Sequence, residues 1–318
     1  MKPLILLLSV LIAQIVSASE RMSYFQATSG PQEARGDLWR PALSFFLPGA
    51  DQYLAGHYYS GAAYSGLWLL GYNWSSNVRN RIEDFEGSDE FRFASKDERE
   101  NFLTEKDIYQ EWTYSSQLTL VASGMSAYHA FRTSVESRRH LGEYQFLPTA
   151  SEETPMDVAL APFEFKHLTK PTTLVPLGVI TVLALNNYYN KPEGYEASPF
   201  TFQESVYTAG LSYNAGTNEE ALFRGWIMPY AMEHTGSYFL SNLIQSSVFA
   251  AAHIGQTQIP IVQLSLGYYL GWLTYNNHWT MSESIFIHTW WDVLAFAMQY
   301  NTRKETAVLS LPALNYVF

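Results

Sequence analysis

Thr217-Asn218-Glu219-Glu220-Ala221-Leu222-Phe223-Arg224-Gly225 is the stretch on which the reading of the chain turns. Two adjacent carboxylates and a guanidinium interrupt an apolar run that continues through Trp226, Ile227 and Met228. Charges set against a hydrophobic helix are costly unless they are paired or used. Gly216 predicts a break, after which Thr217 is the N-cap and Glu220, at the third helical position, completes a capping box. Glu220 and Arg224 are four apart, share a helix face and are expected to pair. Glu219 lies about 100° round the helix from Glu220. It gains only the helix dipole from this arrangement and is the acid left to face a cavity.

Two later stretches belong with this one: Phe249-Ala250-Ala251-Ala252-His253 and His288-Thr289-Trp290-Trp291-Asp292. Each pair of ends is four apart and lies on one helix face. Taken alone, His288 and Asp292 read as a buried pair satisfying each other, and His253 as a core histidine. A carboxylate and two histidines on three helices, in a chain with only 8 His, instead form a constellation that can activate a water inside a bundle.

The rest of the chain supplies the scaffold. Hydrophobic residues make up 47% of its 318 residues and charged ones 15%, below the usual quarter of a soluble chain. Nine Trp and 22 Tyr fit a protein with two water–lipid interfaces. The mean hydropathy of -0.12 agrees with this if apolar spans alternate with polar loops. A net charge of -11 excludes a nucleic-acid partner, which requires a basic stripe. With no cysteine, disulfides and Cys-ligated metals are excluded, and His and carboxylates are the strong ligands left.

Met1–Ala18 reads as a signal peptide: Lys2, an apolar Leu4–Ile15, then Val16-Ser17-Ala18 as a cleavage site. Its apolar core is shorter than the ~20 residues of a span, the alternative being an uncleaved first membrane helix. Apolar stretches at Pro41–Trp74, Trp112–Phe131, Thr172–Tyr189, Ser237–His253, Ile259–Tyr275 and Ser284–Tyr300 predict an all-α, polytopic transmembrane helical bundle. Phe202–Tyr213 predicts a short helix leading into the acidic stretch, and Lys191–Phe200 a loop. Gly56, Gly61, Gly66 and Gly71 mark close helix packing, and His57 a helix end. Eleven acids and six bases between Arg79 and Glu111 predict an acidic extramembrane stretch over 76–111, a solvated loop or helix pair. Residues 141–170, with Pro148, Pro155 and Pro162, read as a connector. The organisational boundary falls near Pro171, between a membrane-associated region 19–170 and a core 171–318.

In order and spacing, Glu219-Glu220-x-x-x-Arg224, Phe249-x-x-x-His253 and His288-x-x-x-Asp292 resemble the signature of the CPBP family, the CAAX-processing and bacteriocin-processing (Abi-type) intramembrane proteases. The resemblance covers about Pro171–Tyr300. It implies a helical endopeptidase of a membrane, here a bacterial inner membrane, with membrane lipid and a protein or peptide substrate as partners. It also implies Glu219 as general base, with His253, His288 and Asp292 holding the water, the oxyanion or a metal. Glu220, Arg224 and Phe249 would be supporting residues, the first two positioning Glu219. The eukaryotic CAAX endopeptidases have Asn at the last position. An ionised Asp292 accepts but does not donate a hydrogen bond, so it would orient His288 or ligate a cation, and a prenyl-peptide substrate is not carried over. Metal-free, glutamate-activated water is the favoured chemistry. Zinc on His253, His288 and one carboxylate is the alternative, and a non-catalytic binding or immunity-type membrane protein of the same fold is the rival function.

Overall fold

The computed structural model describes residues 39–95, 98, 108–149, 151–190, 202–254 and 261–302. All regular elements among them are helical. In chain order they are α1 (Arg40–Phe46), α2 (Ala50–Leu54), α3 (Tyr58–Glu86), α4 (Asp89–Phe93), α5 (Ile108–Arg138), α6 (Pro155–Leu160), α7 (Pro171–Tyr189) and α8 (Phe202–Asn214). A π turn (Ala215–Glu219), α9 (Glu220–Leu222), a second π turn (Phe223–Ile227) and α10 (Met228–Thr235) then follow. The chain ends in α11 (Tyr238–Ala252), α12 (Ile261–Asn276) and α13 (Ser282–Thr302). The signal-like Met1–Ala18, the Lys191–Phe200 loop and the end of the chain from residue 303 lie outside the described residues.

Local chemistry sets the ends of these elements. Pro155 and Pro171 open α6 and α7, where a missing N–H costs nothing. Thr154 and Asp157 form a capping box at the start of α6. Gly236, with a left-handed φ of 61°, stops α10, and the Ser237 hydroxyl then caps α11. His57 precedes α3 as its N-cap residue.

Phe202 to Thr235 is one unbroken helical path, which corrects the expected break at Gly216. Thr217 is not an N-cap: its hydroxyl donates to the Tyr213 carbonyl at 2.8 Å, and the capping box does not form. Gly216 serves close approach instead. A Cβ there would lie 2.9 Å from the Thr289 backbone nitrogen on α13. Within the acidic stretch, residues up to 86 continue α3, α4 follows, and residues from 108 begin α5.

Three buried clusters join the helices. Tyr128 of α5 meets Val158, Ala161, Ala221, Met281 and Ile285. Phe131 and Val135 meet Tyr144, Leu147, Met228 and Trp279. Leu177 and Ile180 of α7 meet Leu270, Leu273, Phe286 and Ile287. The residues before Pro171 therefore share a core with those after it. Gly124 on α5 lets Asn218 approach so closely that a Cβ would sit 2.8 Å from the amide carbon of Asn218.

The transmembrane part of the expected architecture is not met. Among the described residues, no helix is long and apolar enough to cross a membrane. α3 and α5 are long, at 29 and 31 residues, but carry many polar and charged side chains. α11 and α12 are apolar but have 15 and 16 residues, short of the ~20 a span needs. α7 has 19 residues but opens on Pro171-Thr172-Thr173 and closes on Asn186 and Asn187. Large apolar side chains are nonetheless exposed along α7 (Leu174, Val175, Val179, Val182) and α11 (Phe239, Leu243, Ile244, Val248).

Candidate active site

The two π turns place the acidic pair. A π turn closes its hydrogen bond on the fifth residue rather than the fourth, so each residue advances less than the about 100° of an α-helix. Glu219 and Glu220 therefore both meet groups of α13. Glu220 is fully buried, and its Oε1 accepts from Arg224 at 2.9 Å and from His288 Nδ1 at 2.8 Å. The expected Glu220–Arg224 pair thus forms. Glu220 Oε1 serves both Arg224 and His288, while its Oε2 is buried without a partner. Arg224 also donates to the Gly267 carbonyl of α12 at 3.0 Å, and its guanidinium lies 4.7 Å from the centre of the Phe249 ring.

Glu219 is partly open, with 24% of its side chain exposed. Its Oε2 lies 3.8 Å from His253 Nε2 and 3.8 Å from His288 Nε2, and it has no hydrogen-bond partner. Asp292 Oδ2 lies 3.8 Å from the same His288 nitrogen. The structure thus brings all four sequence-selected residues, Glu219, His253, His288 and Asp292, to one place. The tautomers follow from the partners. His253 Nδ1 is 2.7 Å from the Phe249 carbonyl, which only accepts, so that nitrogen carries the proton. His288 Nδ1 donates to Glu220. Both Nε2 atoms are thereby turned toward Glu219. Phe249 packs on both imidazoles, at 4.5 Å from His253 and 5.9 Å from His288.

Burial works against every charge here, and the pairing decides the outcome. Burial raises the Glu220 carboxyl, but Arg224, His288 and Ser284 outweigh it and hold it below the ordinary carboxylate range. Burial lowers His288, but Asp292, Glu220 and Glu219 outweigh it and push the imidazole up to about 9. Burial raises Asp292 to about 6 against the pull of His288. At neutral pH His288 is a cation and Asp292 an anion.

A water about 2.8 Å from both partners fits between Glu219 Oε2 and the Nε2 atom of either histidine, each 3.8 Å away. A resident metal does not fit. Tetrahedral zinc with bonds of about 2.1 Å needs ligand atoms about 3.4 Å apart, closer than the separations here. Among the described residues no three His, Cys, Asp or Glu side chains are grouped to hold a metal ion.

Residues 202–294 match the family model of type II CAAX prenyl endopeptidases, Rce1-like. This segment resembles that family. The Rce1-like segment holds Glu219, His253, His288 and Asp292, and it lies within the stretch where the signature resembles the CPBP family. The family that this segment resembles is one of CAAX-type proteases. No curated protein and no solved structure matches the chain.

Sequence reasoning missed two parts of this site. One is the Gly267 carbonyl, which accepts from Arg224 at 3.0 Å and from Gln245 at 2.9 Å. Asn242, Gln245 and Ser246, three amide or hydroxyl side chains inside an otherwise apolar stretch, were the available signal. The other is the grip of residues 153–173 on α13. Nothing in their composition announces it.

Proposed function

We propose that this protein is an endopeptidase that hydrolyses a peptide bond of a membrane-associated protein or peptide with a water activated by Glu219. The observation that carries the reading is the placement of Glu219 Oε2, unpartnered and 3.8 Å from the inward nitrogen of each histidine. His253, with its Nδ1 proton held by the Phe249 carbonyl, faces the water with Nε2, and Glu219 takes the water's proton as its oxygen attacks the carbonyl carbon. Protonated His288 donates from Nε2 to the developing oxyanion. Collapse of the tetrahedral intermediate breaks the C–N bond, and Glu219 returns its proton to the leaving amine. Asp292 keeps His288 protonated, and Glu220 orients it. A buried polar network without chemistry has no need for an unpartnered carboxylate beside two imidazoles, so the non-catalytic reading is less well supported.

The exposed apolar side chains of α7 and α11 fit contact with lipid acyl chains, and a membrane, bacterial and inner, is the proposed location. The test uses purified wild type, Glu219→Gln and His288→Ala on a membrane-proteome digest, with new peptide termini read by mass spectrometry. The wild type is expected to generate termini that both variants lose, by a factor of about 10² or more. Equal termini from all three proteins refute the reading.

A further inference from the structure

α13 carries two of the four site residues, and its first turn is gripped from outside the Rce1-like segment. Three consecutive residues are held by three different groups. The Met281 backbone N–H donates to Glu153 at 2.6 Å. The Ser282 hydroxyl donates to Glu164 at 2.8 Å and lies 2.7 Å from His167 Nε2. Glu283 accepts from Lys170 at 2.6 Å, Thr172 at 2.5 Å and Thr173 at 3.1 Å. Two residues beyond His288, the Trp290 indole donates to the Pro162 carbonyl at 3.0 Å. Phe165 packs on Phe286 and Trp290 between these points.

The backbone N–H of Met281 points along the helix axis, and the side chains of Ser282 and Glu283 leave it about 100° apart. Bonds at all three residues fix the helix against both sliding and rotation, which a single contact does not. Glu153 is buried, its carboxylate faces the positive end of the α13 dipole, and Arg132 and Tyr128 of α5 flank it. Met281 precedes His288 by seven residues, about 10.5 Å along the axis, and a rigid helix transmits a shift over that distance undiminished.

We propose that residues 153–173 are a brace that sets the position of α13, and so of His288 and Asp292 against Glu219 and Glu220, with Glu153 as its leading positioning residue. The kinetic arm of the test rests on the proposed hydrolysis; the spectroscopic arm does not. Glu153→Leu removes the acceptor at similar size, and Glu153→Gln keeps it. In Glu153→Leu, kcat is expected to fall about tenfold or more with KM little changed, since a misplacement of about 1 Å costs on the order of 10²-fold. Glu153→Gln is expected to restore most of the rate. In full-length protein with nitrogen-labelled histidine, the His288 ring signals, assigned by their loss in His288→Gln, should move in Glu153→Leu and stay in Glu153→Gln. If the wild type cleaves nothing, the ring signals alone decide the brace. If Glu153→Leu does not fold, Ser282→Ala takes its place, with a smaller movement of the same signals expected. A folded Glu153→Leu or Ser282→Ala variant with wild-type His288 signals overturns the proposal.

Discussion

Gly216→Ala tests whether the path through the π turns is shaped by its contact with α13. A Cβ at position 216 would lie 2.9 Å from the Thr289 backbone nitrogen and 3.0 Å from Thr289 Cβ, with the Thr289 hydroxyl closer still. Carbon contacts are favourable at about 3.5–4.0 Å, so α13 must retreat by roughly 0.5–1 Å. The His288–Glu220 hydrogen bond, 2.8 Å long, would stretch beyond about 3.2 Å, the ordinary limit for an N–H···O bond. Overpacking of this kind costs about 1–3 kcal/mol. Alanine's better helix propensity returns about 0.5–1 kcal/mol. The net expectation is a loss of up to about 2.5 kcal/mol in denaturant unfolding and a fall in kcat/KM approaching 10²-fold. Adding Thr289→Ala removes the hydroxyl and should restore part of both, giving a coupling of about 0.5–3 kcal/mol in the double-mutant cycle. A Gly216→Ala protein more stable than wild type and equally active would show that helix propensity, not interhelical contact, governs the site, and the reasoning would fail.

Further expectations follow from the charges. Arg224→Met leaves the buried Glu220 without its main cation and should cost about 3–5 kcal/mol in unfolding, while Arg224→Met with Glu220→Leu should cost less than the sum of the single changes. The imidazole of His288 is raised to about 9, above the ordinary ~6.5. Its stabilising contribution is therefore fully present below pH ~6.5 and lost as pH rises through 9, which melts of wild type and His288→Gln across that range will show. The rate should have an alkaline limb near 9, because a neutral His288 keeps its one proton on Nδ1 and no longer donates from Nε2. Asp292→Asn removes the largest of the charges that raise His288, so that limb should move to lower pH; an unmoved limb in the kcat/KM profile counts against this assignment.

How much of this was legible in the sequence depended on whether the signal was local. Three i,i+4 pairs, Glu220–Arg224, Phe249–His253 and His288–Asp292, were readable because a helix period fixes which residues share a face. Their convergence followed from the ordered signature. The capping box at Thr217 was misread because Gly216 carries the same letter whether it ends a helix or admits a neighbour, and only the position of Thr289 decides between them. The transmembrane reading came from apolar stretches, whereas a span needs length and apolarity in one helix; α3 and α5 have the first, α11 and α12 the second. The grip of Glu153 on Met281 joins residues 128 apart in the chain and leaves no local pattern.

The adjacent acids divide their work through the donors each can reach. From Arg224 inward the charges alternate: guanidinium, Glu220, His288, then Glu219 and Asp292 on the open side. Glu220 receives the strong donors, at 2.9 and 2.8 Å. A carboxylate so held is stabilised as an anion and is a poor proton acceptor. Glu219 is left 3.8 Å from both imidazoles with one oxygen unpartnered, close enough to share a water and too far to be neutralised by a direct hydrogen bond. The fixed acid thus makes the free one usable. Glu220 occupies the proton on His288 Nδ1 and orients Nε2, and Arg224 allows Glu220 to stay charged while buried. Exchanging the two roles by sequence order alone would fail, because only the residue at position 220 reaches Arg224 across one helical turn.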